Sequence, residues 1–299
     1  MRTKQIETVA QISKKEFKTR YLKPQVPVLL KGFTKQFPAT SKWNLNYMKK
    51  VCGDVEVDIY DGDKSNNGTA FTHGDKKMLF KDYAEIIEQQ TQANLRMFLF
   101  NMFKKRPQLR KEYPCPPIMR GLLQRMGYLF FGAKGVKVRM HQDIDNSNVL
   151  LTQFYGRKKV LLVAPEYSDL LYKLPLGTFS PADISAPDYD KYPALRHIEV
   201  LECTLHPGDA LFMPSGYWHH ITYVDGGFSV SYRKLAQSPK ALITGALNVL
   251  VFLPLDKLFS FLGGEAWYRT KLEMAYARAA QAMQREEESE TVALRTQIN

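Results

Sequence analysis

"HPGDALFMPSGYWHHITYV", residues 206 to 224, is the stretch from which the fold can be inferred. Pro207-Gly208-Asp209 has the composition of a tight turn, and Ser215-Gly216 has that of a second turn. The apolar run between the two turns predicts a short buried strand, and the aromatic residues after the second turn begin another. Because adjacent strand residues point to opposite faces, only one of His219 and His220 can face the interior.

A second stretch, "VKVRMHQDIDNSN" at residues 136 to 148, ends an alternating run with His141 and Asp143. Residues two apart on a strand share a face, so both side chains can reach one ion. Two histidines and one carboxylate on one face of an octahedron form a ligand set for Fe(II) that leaves positions open. The sequence therefore predicts a metal site at His141 and Asp143, with the third ligand at 219 or 220.

The residues between about 95 and 238 contain short strands separated by turns rich in Gly, Pro and Asp. This spacing is typical of an antiparallel sandwich or barrel. The preceding residues mix helix and strand patterns, and the following residues are mainly helical. We therefore predict a mainly β fold with flanking helices, in three parts. These are an N-terminal region (1–94), a barrel core (95–238) and a C-terminal helical region (239–299).

The composition is that of an ordinary globular chain, with 299 residues, 44% hydrophobic and 24% charged. Cys52, Cys115 and Cys203 show no CxxC pairing, which argues against a disulfide framework and a structural zinc site. A net charge of +12 permits nucleic acid, acidic protein or anionic lipid as a partner. The first residues contain no apolar segment typical of a signal peptide, and we predict a cytoplasmic location.

The longest apolar stretch is "ALITGALNVLVFLPLDKLFSFLGG", residues 241 to 264. Asn248, Pro254, Asp256 and Lys257 interrupt it, so we predict no transmembrane segment but a buried or interfacial helix. Such an apolar segment needs a partner surface. We predict a homodimer formed through the C-terminal helices. Packing against the same chain's barrel and contact with a membrane surface are the alternatives.

The order of the motifs resembles a known family. His-x-Asp is followed by "GRKKVLLVAP" (156–165), "PGDALFMPSGYWHH" (207–220) and "GGFSVSYR" (226–233). This order is similar to that of the JmjC-related, cupin-like oxygenases, which include the asparaginyl hydroxylase that acts on hypoxia-inducible factor. The similarity covers about residues 10 to 235. It implies a double-stranded β-helix, Fe(II) and 2-oxoglutarate as cofactors, and His219 as the third metal ligand.

The resemblance also implies residues that hold 2-oxoglutarate, whose distal carboxylate needs a buried cation. The family's lysine matches Lys158, and an asparagine near the cosubstrate matches Asn148. Two family contacts are missing from this sequence. Val138 stands where many relatives have a threonine or serine, and Phe98 stands where some have a tyrosine.

The last strand of the predicted barrel carries a further candidate. Ser229, Ser231 and Arg233 share one strand face, and Ser231 stands where the hypoxia-related enzyme has an asparagine. Arginine is well suited to bidentate carboxylate binding. We therefore expect Arg233, with Ser231, to assist or replace Lys158 at the distal carboxylate. The alternative is that Arg233 lies at the solvent-exposed rim of the barrel.

The resemblance favours a hydroxylase that acts on a protein side chain. Hydroxylation of RNA or of a small molecule is an alternative, and the basic charge permits it. A binding protein that keeps the fold but has lost turnover is another, because several cosubstrate contacts are altered. We predict that the loops 61–78 and 172–197 bind the substrate.

Overall fold

The architecture is visible in a computed structural model, which describes residues 1–61 and 74–298, and the side chains in these ranges except at 99 and 289–298. His73 and most of the predicted substrate loop 61–78 lie outside the described residues. The strands form two sheets of five and nine strands. N-terminal helices cover one side of the pair, and a long C-terminal helix covers the other.

The smaller sheet carries both histidine-bearing strands. Its order is β1 (Arg2–Gln5), β11 (Glu199–Leu205), β10 (Lys158–Val163), β13 (Trp218–Tyr223) and β8 (Lys137–His141). Strands β13 and β8 are antiparallel, and His219 lies directly opposite His141. The register shifts between His219 and Ile221, which marks an irregularity next to the histidine pair.

The larger sheet carries the strand with Ser229, Ser231 and Arg233. Its first five strands are β2 (Thr8–Val9), β3 (Val28–Leu30), β12 (Ala210–Met213), β9 (Asn148–Tyr155) and β14 (Gly227–Lys234). The remaining four are β7 (Gly127–Gly132), β6 (Leu95–Phe100), β4 (Glu56–Asp61) and β5 (Lys76–Leu79).

Apolar side chains fill the space between the sheets. Leu151 and Leu211 of the larger sheet pack with Val160, Leu162 and Leu205 of the smaller one. This facing arrangement is a jelly-roll-like cupin fold. The predicted mainly β fold with flanking helices is therefore confirmed, although the sheets of the described residues do not close into a barrel.

The turns predicted around strand β12 are present. Gly208 has a φ of 98° and Gly216 a φ of 75°, values that favour glycine. The carboxylate of Asp209 accepts hydrogen bonds from the backbone N–H groups of Gly32 (3.0 Å) and His206 (3.2 Å). These bonds attach the turn to the end of β3. The turn leads into β12, and the second turn, at Gly216, leads into β13, which bears His219.

Short helices before residue 120 cover the outer face of the larger sheet. They are α1 (Lys14–Phe17), α2 (Ala39–Lys42), α3 (Leu45–Cys52), α4 (Phe80–Glu88), α5 (Met102–Lys105) and α6 (Pro107–Glu112). Ser13 caps α1, since its hydroxyl accepts a hydrogen bond from the backbone N–H of Glu16 at 3.1 Å. A π-helical turn, Lys18–Leu22, follows α1. Three-residue to five-residue 3-10 turns cover Phe33–Gln36, Pro117–Met119, Pro165–Tyr167 and Pro193–His197.

The C-terminal region consists of α7 (Pro239–Leu247), a π-helical turn (Asn248–Phe252) and α8 (Leu253–Ile298). Gly264 interrupts α8 with non-helical backbone angles (φ 47°, ψ −124°). After this break α8 packs on the smaller sheet through Ala275 and Ala279.

The apolar C-terminal segment is exposed rather than buried, contrary to one expectation from the sequence. By length and composition alone, Pro239–Glu288 is a helix able to cross a membrane, and 6% of its most apolar window is buried. The interruptions at Asn248 and Pro254 are absorbed into continuous helix, so an 18-residue apolar window does remain. The absence of a transmembrane segment and the homodimer stay predictions.

Candidate metal centre

His141, Asp143 and His219 come together as one cluster. Each offers one ligand atom, and these atoms lie within 4.8 Å of one another. His141 ends β8, and His219 lies opposite it on β13, so the ring centroids are 4.1 Å apart. Asp143 follows His141 at the point where the strand gives way to a loop. The predicted triad is therefore assembled by strand register and by the two-residue periodicity.

Hydrogen bonds fix the orientation of both imidazole rings. Nδ1 of His141 lies 2.8 Å from the carbonyl oxygen of Arg139, and Nδ1 of His219 lies 3.2 Å from that of Tyr217. Because a carbonyl oxygen can only accept, each Nδ1 carries the proton and donates it. Each Nε2 is then left with a lone pair, which is the state a metal ligand requires.

The electrostatic environment favours the protonation states needed for ligation. Burial lowers the pKa of His141 well below its usual value, and the nearby His219 lowers it further. Burial also lowers the pKa of His219, although Asp143 opposes this shift. Burial alone would raise the pKa of Asp143, but Arg233 and the two histidines together lower it to about 2. At neutral pH the cluster therefore holds two neutral imidazoles and one carboxylate.

Arg233 is hydrogen-bonded to both aspartates of the loop between β8 and β9, residues 142–147, which we call the metal loop. Its guanidinium donates to Oδ1 of Asp143 and to Oδ1 of Asp145, each at 2.7 Å, and to the hydroxyl of Ser147 at 3.0 Å. The side chain is 11% exposed, so it faces the interior and not the rim. The bond to Oδ1 fixes the rotation of the Asp143 carboxylate and leaves Oδ2 to serve as a ligand atom.

A cavity of about 440 Å³ opens beside the triad. All three ligand residues, Ser231 and Arg233 line it. Its other walls are mainly apolar and include Phe98, Phe130, Val138, Ile144, Leu151, Phe179 and Leu253. Val138 and Phe98, the two positions at which the resemblance implied hydroxyl-bearing residues, thus face the cavity. Thr178 and Phe179, which belong to the predicted substrate loop 172–197, also line the cavity.

Lys158 lies between the sheets but is absent from the cavity wall. Its side chain is buried, its ammonium donates to the hydroxyl of Ser229 at 2.5 Å, and it lies 4.2 Å from the centroid of the Tyr223 ring. Burial lowers its pKa well below the usual value. No carboxylate of the described residues forms an ion pair with it. The adjacent Lys159 is exposed and pairs with Glu202 at 3.0 Å.

Asn148 and His220 have their own partners away from the triad. The side chain of Asn148 donates to the carbonyl oxygen of Leu235 and accepts from Gln25 and from the backbone N–H of Ser215. His220 faces the opposite side of the sheet, with Nε2 3.6 Å from Asp183. Burial lowers the pKa of His220 to about 4. The contact of Asn148 with a cosubstrate stays a prediction.

Two arginines in the cavity wall were missed by the sequence reasoning. Arg96 is 5% exposed and lies 5.0 Å from the Phe98 ring, and Arg139 lies 3.7 Å from the Phe179 ring. Burial lowers the pKa of Arg139 to about 10, and Arg96 contributes to this shift. A signal was present, because each arginine interrupts an otherwise apolar or alternating strand, where charged residues are rare.

The C-terminal helix α7 is packed against the metal loop. A Cβ atom at Gly245 would lie 2.3 Å from the backbone oxygen of Asp145, so only glycine fits there. The side chain of Asn146 donates to the carbonyl oxygen of Ala241 at 3.0 Å. Leu253, at the start of α8, lines the cavity itself. The loop after Asp143 is therefore held between β14 and the C-terminal helices.

Comparison with known proteins identifies the family. The cupin-like domain family matches residues 14–234. The chain belongs to this family. The matched range begins in the predicted N-terminal region and ends near the predicted end of the barrel core, and the three-part division stays a prediction. The resemblance to JmjC-related, cupin-like oxygenases is confirmed by the match and by the named relatives.

Three relatives show the range of the family. Lysine-specific demethylase 8 of Xenopus tropicalis is 28% identical over 230 residues, which cover 74% of this chain and 50% of the relative. Arginine-specific demethylase JMJ22 of Arabidopsis thaliana is 25% identical, covering 96% and 58%. The tRNA wybutosine-synthesizing protein 5 of Gallus gallus is 25% identical, covering 76% of each chain. The chain spans about half the length of the demethylases it matches.

The donor set fits the predicted cofactors. Fe(II) and 2-oxoglutarate are the cofactors of the JmjC demethylases, and the cluster here has the matching two histidines and one carboxylate. The rings have their Nε2 atoms available, the carboxylate is ionised, and an adjoining cavity gives access for further ligands. His141, Asp143 and His219 would hold the ion.

Proposed function

We propose that the protein is an Fe(II)- and 2-oxoglutarate-dependent hydroxylase that acts on a protein side chain. The observation that carries this proposal is the oriented His141–Asp143–His219 cluster on the wall of a 440 Å³ cavity. The volume lies in the usual range for small-molecule sites, about 300–1,000 Å³. Relatives named as lysine- and arginine-specific demethylases favour a protein substrate over a small molecule.

The chain's own residues supply binding and orientation. When bound, Fe(II) and 2-oxoglutarate supply oxygen activation for attack on a C–H bond. The carbonyl oxygens of Arg139 and Tyr217 hold the two imidazoles, and Arg233 holds Asp143. The apolar cavity wall excludes water from the reacting groups. We propose that Lys158 binds the distal carboxylate of 2-oxoglutarate at the inner end of the cavity. It is a buried cation without an ion-pairing carboxylate in the described part of the chain, and its partner Ser229 shares a strand face with Ser231, which lines the cavity.

Succinate formation tests this function without knowledge of the substrate. Purified full-length protein with Fe(II), ascorbate and 2-oxoglutarate should release succinate above background. The variants His219→Ala and His220→Ala form a matched pair, because the two residues are adjacent but face opposite sides of the sheet. His219→Ala should abolish turnover and lower Mn(II) affinity about 100-fold or more, whereas His220→Ala should retain both. No succinate from the wild type together with no Mn(II) binding would refute the proposal.

Hydroxylation of RNA is the second candidate. The observation in its favour is the tRNA wybutosine-synthesizing relative, which matches 76% of its own length, together with the charge of +12. Mass spectrometry after incubation with cell extract separates the two candidates. An added oxygen atom on a peptide supports the protein hydroxylase, and an added oxygen atom on a nucleoside supports the RNA enzyme. A protein that binds Mn(II) and 2-oxoglutarate but never forms succinate would be a binding module.

A further inference from the structure

Exposed apolar side chains are concentrated in one part of the molecule. Of the sixteen large apolar side chains that are exposed among the described residues, eleven lie between 242 and 262. The most exposed of these eleven are Phe261 (85%), Leu250 (74%), Leu262 (71%) and Ile243 (60%). With about 3.6 residues per turn, the eleven positions spread over more than half of the helix circumference. A soluble surface helix normally confines such residues to one stripe.

The segment ends in a helical hairpin. Gly264 reverses the chain direction, and the two arms then contact each other. The indole N–H of Trp267 donates to Asp256 at 2.9 Å, the Phe259 and Trp267 rings are 5.0 Å apart, and Lys271 pairs with Asp256 at 2.9 Å. We call residues 239–272 the apolar hairpin. Its tip, around Phe261 and Leu262, is the most exposed apolar part.

The charges of the apolar hairpin are arranged to suit an anionic apolar surface. Asp256 is neutralised by Lys271, whose side chain is 4% exposed. Of the remaining charged residues, Lys240, Lys257, Arg269 and Glu265 are exposed, which gives an excess of two positive charges. Basic groups beside an apolar surface attract anionic lipid headgroups. Trp267 is half-buried against Phe259 of the first arm, and Tyr268 is half-buried against the apolar cluster beside the smaller sheet. Both are residue types enriched at membrane interfaces.

We propose that the apolar hairpin docks the protein onto an anionic lipid bilayer. Lipid can surround an apolar segment whose exposed side chains spread over more than half of the helix circumference, whereas a second copy would cover one stripe. The arms do not cross the bilayer in this state, because Gly245 is packed against Asp145 and the second arm packs on the smaller sheet. The tip enters the interface and the basic side chains lie among the headgroups.

Docking would place the metal cavity beside the membrane. Leu253 belongs to the apolar hairpin and also lines the cavity that contains His141 and Asp143. The cavity therefore adjoins the docked surface, and its apolar wall suits a substrate presented at that surface. This arrangement does not depend on the proposed hydroxylase activity, so vesicle binding can be measured on protein without metal.

Vesicle co-sedimentation tests the proposal. The full chain should sediment with mixed phosphatidylcholine–phosphatidylglycerol vesicles, and its partition coefficient should be about tenfold or more above that for phosphatidylcholine alone. A variant carrying Phe261→Glu and Leu262→Glu should lose about tenfold or more of this binding. The matched control is Leu122→Glu, because Leu122 is 88% exposed but lies outside the apolar hairpin. It should bind as the wild type does.

Four results would overturn the proposal. The wild type could fail to sediment with either vesicle, bind both lipids equally, or bind as well when the tip carries the two glutamates. Light scattering could instead show a dimer that the tip substitutions dissociate, which would assign the surface to a second copy. Circular dichroism of each variant checks that a loss of binding does not reflect unfolding.

Discussion

Two buried cations lie against the same strand, β14, and differ in their partners. Arg233 belongs to the strand and is paired with Asp143 and Asp145 at 2.7 Å. Lys158 reaches the strand from β10 and meets the Ser229 hydroxyl and the Tyr223 ring. Both were candidates for the distal carboxylate of 2-oxoglutarate. Their surroundings indicate different uses.

A buried cation that is paired with carboxylates of the chain stabilises the site, whereas a buried cation without such a pair is available to bind an anionic ligand. The charge of Arg233 is balanced by carboxylates of the chain, and its bond to Asp143 positions a metal ligand. The charge of Lys158 has no such balance within the described residues, so burial works against the ammonium form. An arriving anion would stabilise Lys158, whereas it would compete with two carboxylates for Arg233.

Removal of Arg233 should have the largest effect on stability. Arg233→Met leaves two carboxylates without their buried partner, and we expect a loss of about 3 kcal/mol in the free energy of unfolding. Mn(II) affinity should fall about 10- to 100-fold, because Asp143 is no longer held. Urea unfolding and titration calorimetry measure the two effects. Unchanged stability and Mn(II) affinity would show that the pairing with Asp143 has no supporting role.

Removal of the Lys158 charge should act in the opposite direction. Lys158→Met keeps the side-chain length and removes the buried ammonium, so we expect the metal-free protein to gain about 1–3 kcal/mol. The affinity for 2-oxoglutarate should fall about 100-fold if Lys158 holds the distal carboxylate. Urea unfolding and equilibrium binding with Mn(II) present measure the two effects. A variant with lower stability and unchanged 2-oxoglutarate affinity would contradict both expectations.

The stability gap between the wild type and Lys158→Met should depend on pH. Burial lowers the pKa of Lys158 in the folded protein, while the unfolded value is about 10.4. The unfolded state therefore binds the proton more tightly, and the wild type gains stability as the pH rises between the two values. The gap should be largest below the folded pKa and close as the pH approaches 10.4. Urea unfolding at several pH values measures it, and a constant gap would contradict the assignment.

The neighbouring lysine provides the matched control. Lys159 lies on the opposite strand face and pairs with Glu202 at the surface. Such exposed pairs contribute about 0–1 kcal/mol, so Lys159→Met should change the free energy of unfolding by less than about 0.5 kcal/mol. Its 2-oxoglutarate affinity should equal that of the wild type. A large change in either quantity would mean that the effect of Lys158→Met is not specific to the buried position.

Strand periodicity made His141 and Asp143 predictable as a pair and limited the third ligand to His219 or His220, and the family resemblance implied His219. His141 and Asp143 are two apart, and the turn before Trp218 sets the strand that carries His219. The same rule put Arg233 on the strand face of Ser231 and left open whether it lies in the interior or at the rim. The rule says nothing about loops, and the pairing of Arg233 with Asp143 and Asp145 depends on the path of the loop between β8 and β9.

Other features depend on contacts between distant elements. Lys158 contacts Ser229 of the larger sheet and Tyr223 of the smaller sheet. A single sequence does not show which residues of two different sheets will be in contact. Arg96 and Arg139 were visible as charged residues in their strands, but the shared cavity appears only after the sheets pack. The break at Gly264 was visible as the end of the apolar stretch. The contacts of Trp267 and Lys271 in the second arm with Asp256 in the first arm could not be predicted from the sequence.

The contact between Gly245 and the backbone of Asp145 has a practical consequence for protein engineering. Because no side chain fits at this position, α7 and the metal loop are in direct backbone contact, and a displacement of one is expected to displace the other. Cutting the chain before 239 to improve solubility would remove the apolar hairpin, and it would also release the loop next to Asp143. Substitutions at the tip leave that coupling intact, so they are the better means of changing the surface while keeping the metal centre.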